Sequence, residues 1–538
     1  MKIFSQVKEY IYIHKISFII YILLCLILGI LNIILPLING KFIDTLLISR
    51  TANVVLYFCC ILLLVFLTKL IVGYFVRILY AKLQINCAYE FNFKIIKHIQ
   101  KLPYNKIENM DMLYLNKIVN NDTNALIIYA LSVLQEFIIQ AFALFFPSIV
   151  LFQLNNTMFF FCLTAMLFYC ITYLIIRRKL YKMSQELTKA NSDFFSKMQE
   201  QYDFILFCHI FSFFSEMHNR LNNYFQKLKK LTIKSQKISY FFEGIEDTIY
   251  MTCQIFVFYY GGVQIIHGNF TFGMFTIYSS YVSMILSSLK YFFEFGKKYQ
   301  ETMGAHDRIE QLLRMEEKKN GNKQLQSIHA IKLLDVSFSY DKKVILKELN
   351  YTFSKGYIYG IIGENGVGKS TLLNLITGIY EADSGHILYD NDDIRTIDLL
   401  HIRKYLFTVV PQSIDLLDDN IFNNVVLTPN FDDKFKDRLK EIIKILNFEK
   451  GFQNKYSDIN IKINEHDISK GEQQKIALLR ALLKDPDVII LDEPTTALDQ
   501  ITTTNLLQYL KSKKKDKIII IITHDDRITS IFDSILKL

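Results

Sequence analysis

The run Gly363-Glu364-Asn365-Gly366-Val367-Gly368-Lys369-Ser370-Thr371 could do chemistry on a phosphate. Glycines at this spacing let successive backbone N–H groups turn inward around phosphate oxygens, and the helical LLNLI that follows aims its positive end at the same anion. Lys369 adds a point charge for the β- and γ-phosphates, and the Ser370 hydroxyl is placed to ligand Mg²⁺. Such a loop needs a buried strand before it and a helix after it. YIYGIIG (357–363) has the pattern of that strand.

A second buried run, VIILDEP (488–494), ends in two adjacent carboxylates. Asp492 is expected to hold Mg²⁺ and Glu493 to orient the attacking water. An acidic pair after an apolar strand is elsewhere a turn or a helix cap, but beside a phosphate loop the catalytic reading takes precedence. A third run, KIIIIIT (517–523), delivers His524 at its end, where a γ-phosphate contact is plausible. Taken singly, a histidine there is more often structural.

These runs belong to a mixed α/β domain of P-loop NTPase type. It begins near residue 330 with β-type stretches such as IKLLDVSF (331–338), after a polar linker around MEEKKNGNKQ (315–324). The chain ahead of it is different in kind. Of the 538 residues, 51% are hydrophobic and 14% aromatic, with only 7 Pro, and the long apolar runs all lie before about residue 295. Runs near 16–38, 54–76, 127–153, 157–176, 248–267 and 272–293 each supply the roughly 20 helical residues that a bilayer of about 30 Å requires. The expected architecture is an all-α transmembrane domain of six helices over 1–302, a linker over 303–326, and an α/β nucleotide-binding domain over 327–538.

Charge sets the orientation. The connections QLNN (153–156) and HGNFTFG (267–273) contain no Lys or Arg, whereas 77–126 and 177–247 are rich in Lys, which puts the latter and the C-terminal domain in the cytoplasm. Lys41 and Arg50, between the first two runs, fit this less well. The net charge of +9 follows basic residues beside the apolar runs, so the implied partner is an anionic membrane surface rather than nucleic acid. The 8 Cys show no metal-ligand spacing and read as small hydrophobes in a reducing or lipid setting. The apolar run after MKIFSQVKEYIYIHK is too long for a removable signal peptide.

Helical periodicity continues into the cytoplasmic stretches, as in Phe204, Phe207, Phe211 and Phe214, a stripe expected to pack against neighbouring helices, with substrate contact as the alternative. Lys69 and Glu136 fall inside apolar runs at similar depth. Either they pair, or both reach water by snorkelling.

The stretch from Ile468 to Asp499, ISKGEQQKIALLRALLKDPDVIILDEPTTALD, resembles the signature-to-D-loop segment of ATP-binding cassette (ABC) transporters. With six preceding spans, the chain is similar to an exporter-type half-transporter, one membrane domain fused to one cassette. The resemblance implies further roles. Tyr340 in FSY would stack on adenine, and Gln412 in VVPQS would sense Mg²⁺ beside Ser370 and Asp492. Asp499 would be the D-loop aspartate and His524 the switch histidine. Ser469 and Gly471 would touch ATP held by a second chain, so the monomer is expected to be inactive. The cofactors implied are ATP and Mg²⁺, and hydrolysis would fall to Glu493, His524, Gln412 and Lys369.

Two departures from the family pattern stand out. Ile468-Ser469-Lys470-Gly471-Glu472 replaces LSGGQ, and the region at INEHD (463–467) is short, as is the cassette's end at Leu538. A homodimer is the first expectation, and a heterodimer with one weakened ATP site is the alternative. The expected function is ATP-driven export of a small amphipathic or peptide substrate across a bacterial cytoplasmic membrane by alternating access. Lipid or drug efflux is the alternative cargo. A non-pumping regulator or channel is a rival, against which intact Lys369, Asp492, Glu493 and His524 argue. An importer is a weaker rival, because importer membrane domains are usually separate chains. No cysteine-peptidase domain precedes the first span, so a leader-bearing peptide would need trimming by another protein.

Overall fold

The computed structural model describes residues 2–538 except 50, 109, 111, 341–342, 365, 428–434, 449–461 and 464–467. Two compact units divide it: Met1–Gln100 with Asp111–Met315, and Lys101–Met110 with Glu316–Leu538.

The first unit is helical. Six helices are long and apolar enough to cross a membrane: Lys15–Ser49, Ala52–Lys101, Tyr114–Leu154, Asn156–Ile176, Phe214–Ile266 and Phe272–Gly296. Each contains one of the six apolar runs. Three of them belong to much longer helices, Ala52–Lys101 with 50 residues, Asn156–Asp203 with 48 and Phe214–Ile266 with 53. At 1.5 Å per residue these reach about 70–80 Å, more than twice the hydrocarbon thickness. The last helix runs on to Leu313, so the first part of the stretch read as linker is helical.

The short connections on the far side close by capping. Asn155 leaves the helix in an extended conformation, and its side chain accepts from the Met158 N–H at 3.0 Å. Thr271 caps the last helix in the same way. Asp44 then accepts from the Thr271 hydroxyl and the Gly273 N–H, both at 2.7 Å, tying the first span to the last. Gly273 must lack a side chain, because a Cβ there would meet the Gly40 carbonyl oxygen at 2.1 Å.

Near the other end, Asp122 closes a π-helical turn, Lys117–Asp122, and is almost fully buried. Its carboxylate accepts from Arg308 through both oxygens, at 2.7 and 2.8 Å, the fork geometry that makes such pairs strong. No ion pair joins Lys69 to Glu136 among the described residues. Lys69 is exposed, and Glu136 lines a cavity with Arg77, Tyr80, Ser132 and Gln135. The Phe204–Phe214 stripe also departs from expectation. The long helices stop at Asp203 and restart at Phe214, with a short helix Ile205–Phe211 between them that ends on Ser212 at φ 51°. Phe207 and Phe211 pack on each other at 4.6 Å, and all four rings remain 44–63% exposed.

The second unit holds two sheets. Strands β1 (Ala330–Tyr340), β2 (Lys343–Ser354), β4 (Ser384–Tyr389) and β5 (Asp392–Asp393) form an antiparallel sheet in the order β2-β1-β4-β5. Strands β3 (Ile358–Ile362), β6 (Phe407–Val410), β7 (Val488–Asp492), β8 (Ile518–Ile522) and β9 (Ser534–Lys537) form the second sheet, ordered β6-β7-β8-β3-β9. All its pairings are parallel. β7 and β8 are buried at every residue, which explains their unbroken apolar sequences: a parallel sheet covered on both faces wants no polar alternation. One hydrophobic core, including Leu372, Ile376 and Phe407, lies on one side, and another, including Leu478, Leu482 and Leu506, on the other.

Residues 101–110 pack with this unit through particular contacts. The Tyr380 hydroxyl donates to Glu108 at 2.5 Å, the Tyr104 and Tyr380 rings stack at 6.4 Å, and the Lys318 N–H donates to the Lys101 carbonyl at 2.8 Å.

Candidate active site

Parallel strands end on the same edge of their sheet, and that alone collects the chemistry. At the C-terminal ends of β6, β7, β8 and β3 stand Gln412, the Asp492-Glu493 pair, His524 and the glycine loop, respectively. They line a cavity of about 490 Å³ with Tyr340, Ile345, Gly366, Gly368, Lys369, Ser370 and Thr371. This volume is within the range of small-molecule sites.

The loop is shaped by backbone conformations that side chains resist. Gly366 and Gly368 have φ of 82° and 113°, and a Cβ on Gly368 would meet Ile345 at 2.6 Å. The helix Lys369–Ile376 starts at the loop's end. Lys369 is mostly buried, and its ammonium donates back to the carbonyls of Gly363 at 2.7 Å and Glu364 at 2.9 Å. It is a cation already held over an anion-binding cradle. Val367 shares the loop, and Asn365 lies outside the described residues.

Across the cavity, burial and the adjacent Glu493 charge raise the Asp492 carboxyl to about 6, with Lys369 pulling the other way. A bound divalent cation would remove that penalty. Glu493 sits between two neighbours: one carboxylate oxygen lies 2.8 Å from His524 Nδ1, and the other accepts from Gln412 Nε2 at 3.3 Å. Its backbone is left-handed, φ 50°, an unfavourable region for a residue with a side chain and one found at functional sites. The Glu493 N–H nonetheless donates to the Ile522 carbonyl at 2.9 Å, so the neighbouring strand holds the turn.

Tyr340, at the end of β1, reaches the cavity half-exposed. Its ring lies edge-on to Tyr380 at 5.9 Å, leaving a face for a planar ligand. Ile345 escaped the sequence reading. It is one apolar residue on β2, far in sequence from every motif, and only its closeness to Gly368 marks it.

Ser469, Gly471 and Asp499 do not line the cavity. Ser469 caps the helix Lys470–Leu483 in a reciprocal box with Glu472: the Ser469 N–H and hydroxyl donate to the carboxylate at 2.8 and 2.7 Å, and the Glu472 N–H donates back at 3.3 Å. The acidic departure from the usual signature is therefore a helix cap. Gly471 is confined, because a Cβ would meet the Ala497 carbonyl oxygen at 2.7 Å. Asp499 caps the helix Gln500–Lys513. Burial works to raise its carboxyl, but hydrogen bonds from Thr502 and the Lys475 ammonium outweigh that and bring it down to about 2. INEHD lies largely outside the described residues.

Residues 346–496 match the family model described as ABC transporter, and residues 18–289, half of the chain, match that of the ABC transporter transmembrane region. The chain belongs to the ABC transporters. It is similar to an export ATP-binding/permease protein of Rickettsia bellii, 27% identical over 506 residues, covering 90% of this chain and 85% of that relative. An ATP-dependent lipid A-core flippase of Vibrio parahaemolyticus is 32% identical over 275 residues, 50% of this chain and 47% of the flippase, so that alignment spans about half of the relative's length. One from Syntrophus aciditrophicus is 23% identical over 97% of this chain and 88% of its own. Among solved structures, a bacterial Atm1-family ABC exporter with ATP bound superposes with a TM-score of 0.84 at 17% identity, covering 98% of this chain and 94% of that one, a likeness of fold. The ABC chain is thus an exporter with a membrane domain of six spans and a cytoplasmic cassette, an ATPase coupled to transport.

Proposed function

We propose that two copies of this chain form an exporter that hydrolyses ATP at the cavity between β1 and the C-terminal edge of the parallel sheet and moves an amphipathic substrate outward. One observation carries the reading: Gly366, Gly368, Lys369, Ser370, Gln412, Asp492, Glu493 and His524 converge on one cavity in a chain that also has six spans. Tyr340 stacks on the base and the loop N–H groups with Lys369 hold the phosphates. Glu493, oriented by His524 and Gln412, positions the attacking water and takes its proton. Ser370, Gln412 and Asp492 would hold Mg²⁺, and the raised Asp492 carboxyl, in no ion pair among the described residues, fits that duty. Bound there, Mg²⁺ would neutralise charge developing on the phosphates.

Dimer formation is supported by the site itself. Ser469 and Gly471 stand outside the cavity, and Ser469 is on an exposed helix start, where a second chain's nucleotide can meet it. The exposed rings at Phe204, Phe207, Phe211 and Phe214 form an apolar tip that a lone chain leaves bare and a second copy would cover. A homodimer is the simplest assembly. For cargo, the flippase relatives favour a lipid over a peptide. Reconstitution into vesicles tests the reading: ATP-dependent outward flux supports it, and ATP-independent or inward flux refutes it.

A further inference from the structure

The membrane-spanning unit holds a cavity of its own, of about 160 Å³, lined by Arg77, Tyr80, Ser132, Gln135 and Glu136. The spacing explains why these five meet. Arg77 and Tyr80 are one turn apart on the helix Ala52–Lys101, and Ser132, Gln135 and Glu136 share one face of the helix Thr123–Leu154. The wall is held from behind. Tyr21, fully buried, donates its hydroxyl to Gln135 Oε1 at 2.8 Å, and its ring lies 6.3 Å from Tyr80. Val76 and Val133, next in sequence to the lining residues, are buried.

The charges are what make this cavity unusual. Arg77, exposed, and Glu136, half-buried, border one small open space, yet among the described residues neither has an ion-pair or hydrogen-bond partner, and they do not pair with each other. Opposite charges divided by a gap, beside apolar spans, suit a ligand that carries both charges in the reverse order. Counting 1.5 Å per residue from the outer helix ends at Ala52 and Leu154, the two fall about 27–38 Å along their helices, and because they line one space they share a level there. With a hydrocarbon core of about 30 Å, that is the level of the inner-leaflet headgroups.

We propose that this cavity binds the headgroup of a zwitterionic phospholipid from the inner leaflet, Glu136 taking the ammonium and Arg77 the phosphate, with Tyr80, Ser132 and the Gln135 amide completing the polar shell. A lipid delivers both charges to this depth with its acyl chains already in the apolar belt, which a peptide from the cytosol does not. The inference rests on the exporter reading for its purpose, naming the class of cargo, but not for its test.

The test is native mass spectrometry of the full-length protein, without nucleotide, in an equimolar mixture of phosphatidylethanolamine and phosphatidylglycerol. Wild type is expected to retain phosphatidylethanolamine at about fivefold preference, the discrimination of an ion contact at the upper end of the exposed range. Glu136→Arg should invert the preference, Arg77→Glu should abolish it, and the double exchange should restore it. Should the reversals fail to fold, Glu136→Gln and Arg77→Gln must each erase most of the preference. Equal retention of the two lipids by wild type, unchanged preference in the variants, or displacement of lipid by a tripeptide with free termini overturns the proposal. Because no turnover is needed, lipid selectivity without ATP hydrolysis would sink the exporter mechanism alone, and hydrolysis without selectivity would sink only this site.

Discussion

Replacing Glu493 by Gln isolates the step in which water is activated. The amide keeps the length of the side chain and one oxygen able to accept, so the contact now 2.8 Å from His524 Nδ1 can persist. What is lost is the charge that takes a proton. Removing a positioned general base lowers kcat by about 10²- to 10⁴-fold, equivalent to about 3–5 kcal/mol on the barrier. Binding should survive, because Lys369 and the loop N–H groups are untouched. Removing the Glu493 charge also withdraws one of the causes that raise Asp492, which leaves Asp492 more readily ionised. Phosphate release measured beside equilibrium binding of a fluorescent ATP analogue separates the two effects. A variant that turns over within fivefold of wild type, or one that loses ATP binding along with turnover, would refute the role given to this carboxylate.

Tyr340→Ala should weaken ATP binding by about 1–3 kcal/mol, the worth of one base stacked on an aromatic ring, while leaving kcat at saturation nearly unchanged; the split is read from initial rates against ATP concentration. Gly471→Ala places a Cβ 2.7 Å from the Ala497 carbonyl oxygen, so hydrolysis should fall more than about tenfold with stability lowered by about 1–3 kcal/mol, checked by ATPase assay and thermal melting. Asp122→Ala strands the Arg308 guanidinium. A loss of about 2–4 kcal/mol in denaturant unfolding is expected, discounted because Arg308 is a third exposed, and Asp122→Asn should recover part of it.

What could be read ahead of the structure was whatever lies within a few residues along the chain. The loop from Gly363 to Thr371, the Asp492-Glu493 pair and His524 each follow a buried strand, and a parallel sheet needs no further instruction to bring strand ends together. Ile345 and Tyr380 were not legible, because their importance arises from contacts across strands and not from spacing. The same holds for residues 101–110, which pack with the cassette unit through the Tyr380 hydroxyl and Glu108. Glu472 stands where the family pattern has Gln, and only the reciprocal bonds with Ser469 show it completing a helix start. Periodicity at Phe204–Phe214 promised continuous packing, but the chain turns at Ser212 and leaves the rings uncovered.

The left-handed backbone at Glu493 also limits how this lineage can change. Branched residues such as Val or Ile are penalised there by collision with their own main chain, whereas Asp, Asn and Gly tolerate the turn. A sister chain that surrendered hydrolysis while keeping its sheet edge intact would therefore drift to that short set of replacements. Sequencing such partners would reveal the imprint of one dihedral angle.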